Sequence, residues 1–174
     1  LTIRELLLHQ SGLPSGLLFY QEAIDGKSYK GSLFKQSKDA LHTVRLGVRT
    51  WGNPRFRFNK GMTSKEKNGD YTRQVWDSLW LNRAFREEIR KKIAEAPLKD
   101  KSYRYSDVGF ILLQMLAEEL SGKPMDEYLW QVFYQPMGLE HTAYLPLRYF
   151  DKKEVVPSAV DRFLRKTTLQ GFVH

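Results

Sequence analysis

The run Tyr103-Arg104-Tyr105-Ser106-Asp107-Val108-Gly109-Phe110 sets a phenol, a hydroxyl and a carboxylate on consecutive residues at Tyr105, Ser106 and Asp107. Groups of these types move protons when the backbone holds them on an open edge. The residues that follow can supply the edge. Val108, Ile111, Leu112, Met115, Leu116 and Leu120 recur at helical spacing, which predicts an amphipathic helix from Val108 to Leu120. Ser121-Gly122-Lys123-Pro124 ends it, because Gly takes the left-handed position and Pro cannot continue the helix. Tyr105, Ser106 and Asp107 then stand at the N-terminal end, where free N–H groups and the helix dipole favour negative charge. A plain N-cap by Ser106 or Asp107 would explain the same residues, and both readings stand at this point.

Other residues carry chemistry-bearing types with weaker spacing. His9 and Ser11 follow a short helix that opens with Thr2 and Glu5 as a capping box and ends at Gly12 and Pro14. No acid is placed to orient His9, so the pair reads as a turn rather than as a nucleophile with its base. Ser32-Leu33-Phe34-Lys35 and Ser64-Lys65-Glu66-Lys67 both fit Ser-x-x-Lys, a pattern that arises by chance in a chain this rich in Ser and Lys. Lys166-Thr167-Thr168 imitates Lys-Thr-Gly without the Gly, and its surroundings read as helix surface. His141 has no His, Cys or acidic partner at metal-ligand spacing, so no metal and no cofactor is expected.

Three segments together resemble a known family. Leu1-Thr2-Ile3-Arg4-Glu5-Leu6-Leu7-Leu8-His9-Gln10-Ser11-Gly12-Leu13-Pro14 is similar to the "TIRxLLxHxSGLP" signature of the penicillin-recognising serine hydrolases, the superfamily of class C β-lactamases, D-Ala-D-Ala carboxypeptidases and related esterases. The Tyr105 stretch resembles that family's "YxN" motif. Gln135-Pro136-Met137-Gly138-Leu139-Glu140-His141-Thr142 resembles its "PLGMxxT" segment. The tail from Val156 to His174 looks like a bacterial branch in which the hydrolase domain is fused to a glycoside hydrolase. The resemblance implies a serine acyl hydrolase acting through an acyl-enzyme, with Tyr105 as proton relay and Asp107 beside the lysine that activates it. It implies that the His9–Pro14 loop is structural. It also places the nucleophilic Ser-x-x-Lys before Leu1 and the Lys-Thr-Gly or His-x-Gly motif after His174, so the chain alone would be inactive. Asp107 departs from the family's Asn and lacks the amide N–H donor that would meet a β-lactam or peptide carbonyl, which counts against those substrates and leaves esters or another acyl group open. The partner implied is a small molecule or a peptidoglycan-type substrate, and the compartment implied is the bacterial envelope.

The elements that must position these residues read as mainly α: the helical central region of a serine β-lactamase-like α/β fold, with most of the sheet missing. One domain is expected over residues 1–174, with a loop-rich insertion at 15–70 and a helical core at 75–135. Leu81, Phe85, Ile89 and Ile93 predict a helix from Val75 to Ala96, with Trp76 and Trp80 on a neighbouring face. Met125, Tyr128, Leu129, Val132 and Phe133 predict another, closed by Pro136 and Gly138. Ser158 and Asp161 predict a last helix through Phe163 and Leu164 to about Leu169. Short strands are expected only near Thr142 to Leu147 and at the end. The chain begins at Leu1, as a piece of a longer protein would.

Composition narrows the function classes. The 174 residues are 41% hydrophobic and 13% aromatic, which suits a folded chain with a core. There is no Cys, which excludes disulfides and thiolate chemistry. No run is long and apolar enough to span a bilayer. The net charge of +8 favours polyanions, and Arg45 to Lys60 interleaves cations with Trp51, Phe56 and Phe58. No nucleic-acid motif accompanies the charge, so solvated surface is the simpler expectation. A non-catalytic module whose basic insertion contacts an anionic polymer is the second function class kept.

Overall fold

The computed structural model describes residues 1–173. The chain forms two compact units, Leu1–Leu18 with Arg90–Asp151, and Phe19–Ile89 with Lys152–His174.

The first unit is helical. Helix α1 (Ile3–Leu7) opens with Thr2, whose side chain accepts from the Glu5 backbone while Glu5 reaches back to the Thr2 N–H. The longest helix, α3 (Asp107–Ser121), starts at the N-cap Ser106 and stops at Gly122, which has φ 65°. Helix α4 (Met125–Leu129) continues into a wider π turn, Trp130–Tyr134. Asp126 is buried on α4 and pairs with Arg148, so its charge is compensated where burial would otherwise be costly. Helix α2 (Phe85–Glu95) belongs to this unit from Arg90 onward and precedes the charged link to Tyr105.

The second unit is built of short antiparallel strands. Strands β1 (Phe34–Lys35), β2 (Val44–Gly47) and β3 (Thr50–Gly52) form one sheet in the order β1-β3-β2. Strands β4 (Thr63–Ser64), β5 (Tyr71–Trp76) and β6 (Leu79–Asn82) form a second in the order β4-β6-β5, and β7 (Pro157–Asp161) pairs with β8 (Thr167–Gln170). Ile24, Leu33 and Phe163 make the core, with Phe34, Val44, Phe56 and Phe58 packed around them. Gly52 is required there: a Cβ at this position would lie 2.5 Å from Phe163 Cε2.

This architecture corrects the expected mainly α fold. Among the described residues the content is 30% helix and 18% strand, with three small antiparallel sheets. Residues 34–82 hold six strands of two to six residues. Strands this short do not develop a legible period-two pattern, and β-bulges at Arg45/Gly47, Tyr71/Arg73 and Gln74/Trp76 shift the phase of what pattern there is. The stripe through Leu81 is thereby explained: Val75 and Leu81 lie on strands, and the helix begins only at Phe85. The last predicted helix is likewise replaced by β7 and β8. Asp161 does accept the backbone N–H groups of Phe163 and Leu164, as a cap would, but the segment turns at Lys166, with φ 54°, and returns as a strand. Thr142 to Leu145 is irregular, and Pro146 and Leu147 already belong to the helical turn Pro146–Arg148, so no strand forms there. Helix α3 is also less buried than its stripe implies: Val108 is fully buried, yet Ile111, Leu112, Met115 and Leu116 are only half-buried and Leu120 is 77% exposed.

Candidate functional site

The segment His9–Ser15 runs beside the segment Lys99–Asp107, and a ladder of bonds joins them. Lys99 N–H donates to the Gly12 carbonyl (2.9 Å), Arg104 N–H to the His9 carbonyl (2.8 Å) and Asp107 N–H to the Ser15 carbonyl (2.9 Å). Gly12 has φ 77°, and a Cβ there would sit 2.4 Å from the Lys99 carbonyl oxygen. Only glycine allows both the turn and this approach. Ser11 is buried, its Oγ accepting weakly from the Leu13 N–H at 3.4 Å.

Ser106 is the centre of the joint. It is 1% exposed, its Oγ donates to the Pro14 carbonyl (2.7 Å) and accepts from the Gly109 N–H (3.2 Å). Its backbone N–H donates to His9 Nδ1 at 3.1 Å. An accepting Nδ1 carries no proton, so the His9 proton resides on Nε2. The His9 ring also packs against Tyr105 (centroids 4.7 Å apart), Phe110 (5.2 Å) and Tyr103 (6.0 Å). His9 is therefore committed to holding the Tyr103–Phe110 segment, and it shares no contact with Ser11 that would make the two a nucleophile and base.

These bonds leave Tyr105 on the N-terminal edge of α3, 58% exposed. The Asp107 carboxylate, by hydrogen bonding and by its charge, pushes the Tyr105 ionisation above that of an ordinary phenol. Tyr105 and Asp107 are thus brought together, and Ser106 between them is the cap. A cation beside Asp107 would reverse the direction of the shift.

The decoy patterns are placed elsewhere. Lys35 Nζ of the first Ser-x-x-Lys bonds Asp39 (2.7 Å) rather than Ser32. Ser64 Oγ accepts from the Glu66 N–H in a local turn, and the Lys67 ammonium lies over the Trp80 ring. Lys166-Thr167-Thr168 leads into β8, so it is strand-borne and not helix surface, and it still lacks the Gly. Among the described residues no three His, Cys, Asp or Glu side chains gather as a metal site, and no helix is long and apolar enough to cross a membrane.

One constellation was not legible in the sequence. Ser32 Oγ lies 3.2 Å from His42 Nε2, and His42 Nδ1 lies 2.8 Å from Asp39 Oδ1. The types and order are those of a hydrolytic triad, but the bonding differs. His42 Nε2 is closer to the Ser32 carbonyl (2.9 Å), and Ser32 Oγ donates to the Phe34 carbonyl at 2.8 Å. Asp39 also accepts from the Leu41 and His42 N–H groups and from Lys35. The buried His42 is a staple for the loop before β2, and the Asp39-x-x-His42 spacing, an Asx turn that returns a ring onto its own carboxylate, is the signal that could have found it.

Residues 1–155 match the beta-lactamase family, and the chain belongs to that family. Among curated proteins it is similar to an N-acetylmuramyl-L-alanine amidase of Bacillus subtilis, 41% identical over 81 residues, covering 40% of this chain and 18% of that protein. It is similar to a protein named as a D-alanyl-D-alanine carboxypeptidase in Escherichia coli K12, 34% identical over 70 residues, covering 40% and 15%. A protein of the same name in Salmonella gallinarum is 32% identical over 88 residues, covering 51% and 19%. The matched region thus spans less than a fifth of the length of these relatives. No solved structure matches.

Proposed function

We propose that this chain is the central segment of a serine acyl hydrolase that works through an acyl-enzyme, with Tyr105 relaying the proton and Asp107 orienting the activating lysine. The observation that carries the reading is the joint between His9–Ser15 and Lys99–Asp107. A buried serine cap, a histidine acceptor and a close-approach glycine are all committed to presenting one exposed phenol at a helix terminus. A buried cap alone would not require an exposed tyrosine beside it.

In this reading the nucleophile and the oxyanion donors lie outside residues 1–174, and the two compact units belong to one β-lactamase-like domain. The exposed apolar side chains of α3, Phe110 and Leu120 among them, support the fragment reading, since residues of the longer protein would cover them. The substrate class is peptidoglycan-type, by analogy with relatives named as a murein amidase and carboxypeptidases, and the compartment is the bacterial envelope. Asp107 in place of Asn removes the donor a β-lactam or peptide carbonyl would use and leaves an ester or another acyl group open.

The mechanism follows from the positions. A phenol titrates near 10 in isolation and is raised here, so it acts as a base only once a lysine ammonium joins Asp107 and stabilises the phenolate. The test compares the 174-residue chain with the protein extended at both ends along its gene. The short chain should neither hydrolyse a chromogenic ester or cephalosporin nor be labelled by a serine-reactive phosphonate. The extended protein should be labelled on a serine before Leu1, and Tyr105→Phe should slow acylation by roughly a hundred- to ten-thousand-fold. Label on Ser32 or Ser64, or an active extended protein indifferent to Tyr105→Phe, would refute the proposal.

A further inference from the structure

Charge is divided unevenly between the two units. Phe19–Ile89 with Lys152–His174 carries 19 Lys and Arg against 10 Asp and Glu, a net +9. Leu1–Leu18 with Arg90–Asp151 carries 9 against 10, a net −1. The whole basic excess therefore belongs to the β-rich unit. The register of the sheet β1-β3-β2 then says where part of it points. Phe34 and Val44 both pair with Gly52, and this face packs on Phe163, with the Phe34 and Phe163 rings 5.6 Å apart. Side chains alternate between faces along a strand. The next row pairs Lys35 and Arg45 with Trp51, and so faces away from the core.

Trp51 is thus the aromatic of an outward row flanked by cations on both neighbouring strands. The Lys38 ammonium lies 5.8 Å from the centre of its ring, and Arg49 stands in the hairpin turn just before β3. Lys35 pairs with Asp39, but Lys38, Arg45 and Arg49 are exposed, and among the described residues none has an ion-pair partner. Arg45 Nε donates to the Gly47 carbonyl at 3.2 Å, which pins the guanidinium beside the sheet without neutralising it.

We propose that this outward face of β1-β3-β2 is a docking platform for a carboxylate-bearing glycan. One sugar ring lies on the Trp51 indole, and its carboxylate is met by Lys38, Arg45 and Arg49. The polarised C–H face of a sugar ring suits an aromatic platform, and the cations supply the complementary charge. Single-stranded nucleic acid favours a succession of aromatic steps for successive bases, whereas this row offers one. The inference deepens the peptidoglycan reading above by giving the polymer a place to bind. It requires no acyl chemistry, so it can stand or fall independently of Tyr105.

The test is binding of the 174-residue chain to polygalacturonate at low salt, followed by intrinsic fluorescence or calorimetry. Dextran serves as the neutral glycan, polyglutamate as the carboxylate polymer without sugar, and oligothymidylate as the nucleic acid. Polygalacturonate should bind best, and its affinity should fall with added salt as surface charges are screened. Trp51→Ala should weaken it about ten-fold, the size of a lost stacking contact, while leaving polyglutamate binding unchanged. Arg45→Gln with Arg49→Gln should weaken both and flatten the salt dependence. Circular dichroism checks folding, and Trp51→Phe, which keeps an aromatic face in the row, should restore most of the affinity. Equal binding of polyglutamate, tighter binding of oligothymidylate, no binding at all, or a folded Trp51→Ala chain that binds polygalacturonate as before would each overturn the proposal.

Discussion

Replacing Ser106 with Ala isolates the joint that presents Tyr105. The substitution removes one oxygen from a site that is 1% exposed and adds no volume. Two bonds go with it. The Gly109 N–H loses its cap, worth about 1 kcal/mol in helices of this kind. The half-buried Pro14 carbonyl loses its donor, and an acceptor left unpaired away from water costs about 1–3 kcal/mol. The bond from the Ser106 backbone to His9 survives, because it does not use the side chain. The sum is about 2–4 kcal/mol, which in a chain of this size is roughly a 5–15 °C fall in the melting temperature of the helical unit. Trp130 is the only tryptophan in that unit, so variants lacking Trp51, Trp76 and Trp80 give a fluorescence report on it alone. Hydrogen exchange at the Gly109 and Asp107 amides gives a second report, and both should open at lower denaturant in Ser106→Ala. Tyr105→Phe, made in parallel, alters only an exposed hydroxyl and should change stability by less than about 0.5 kcal/mol. A Ser106→Ala loss no larger than that of Tyr105→Phe would refute the claim that Ser106 builds the site and Tyr105 merely occupies it.

Three further outcomes are expected. Tyr105 should ionise above pH 10 when followed by its ring carbon in NMR, and Asp107→Asn should bring it down, since the carboxylate is the first cause of the shift; no movement would detach the two residues. Gly52→Ala should destabilise the β-rich unit by about 1–3 kcal/mol through the clash with Phe163, and chemical denaturation of a chain carrying Phe163→Leu as well should show partial relief. Burial raises Asp161, but the Arg165 guanidinium and the Phe163 and Leu164 N–H groups outweigh it and hold the carboxyl below its usual range. A depressed carboxyl contributes stability above its unfolded value near 3.9 and loses it as pH falls through the folded value. Unfolding curves between pH 5 and 2 should therefore flatten in Arg165→Gln, and an unchanged slope would remove Arg165 as the cause.

The sequence by itself settled what local rules settle. Thr2 and Glu5 declared the capping box, the stripe after Val108 declared α3, and Gly122 declared its end, because each depends on residues three or four apart. The three family motifs were legible because they are contiguous. The β-rich unit was not, since a strand of two or three residues such as β1 or β3 has no period of its own and exists only through its partner. For the same reason Asp161 imitates the start of a helix in sequence, whereas its capping bonds close a turn between two strands. Tertiary structure alone brought His9 Nδ1 to the Ser106 amide and Ser106 Oγ to the Pro14 carbonyl, across more than ninety residues of chain. It alone put Lys35, Trp51 and Arg45 in one row, because register assigns a face to each strand residue and no pattern within a single short strand can.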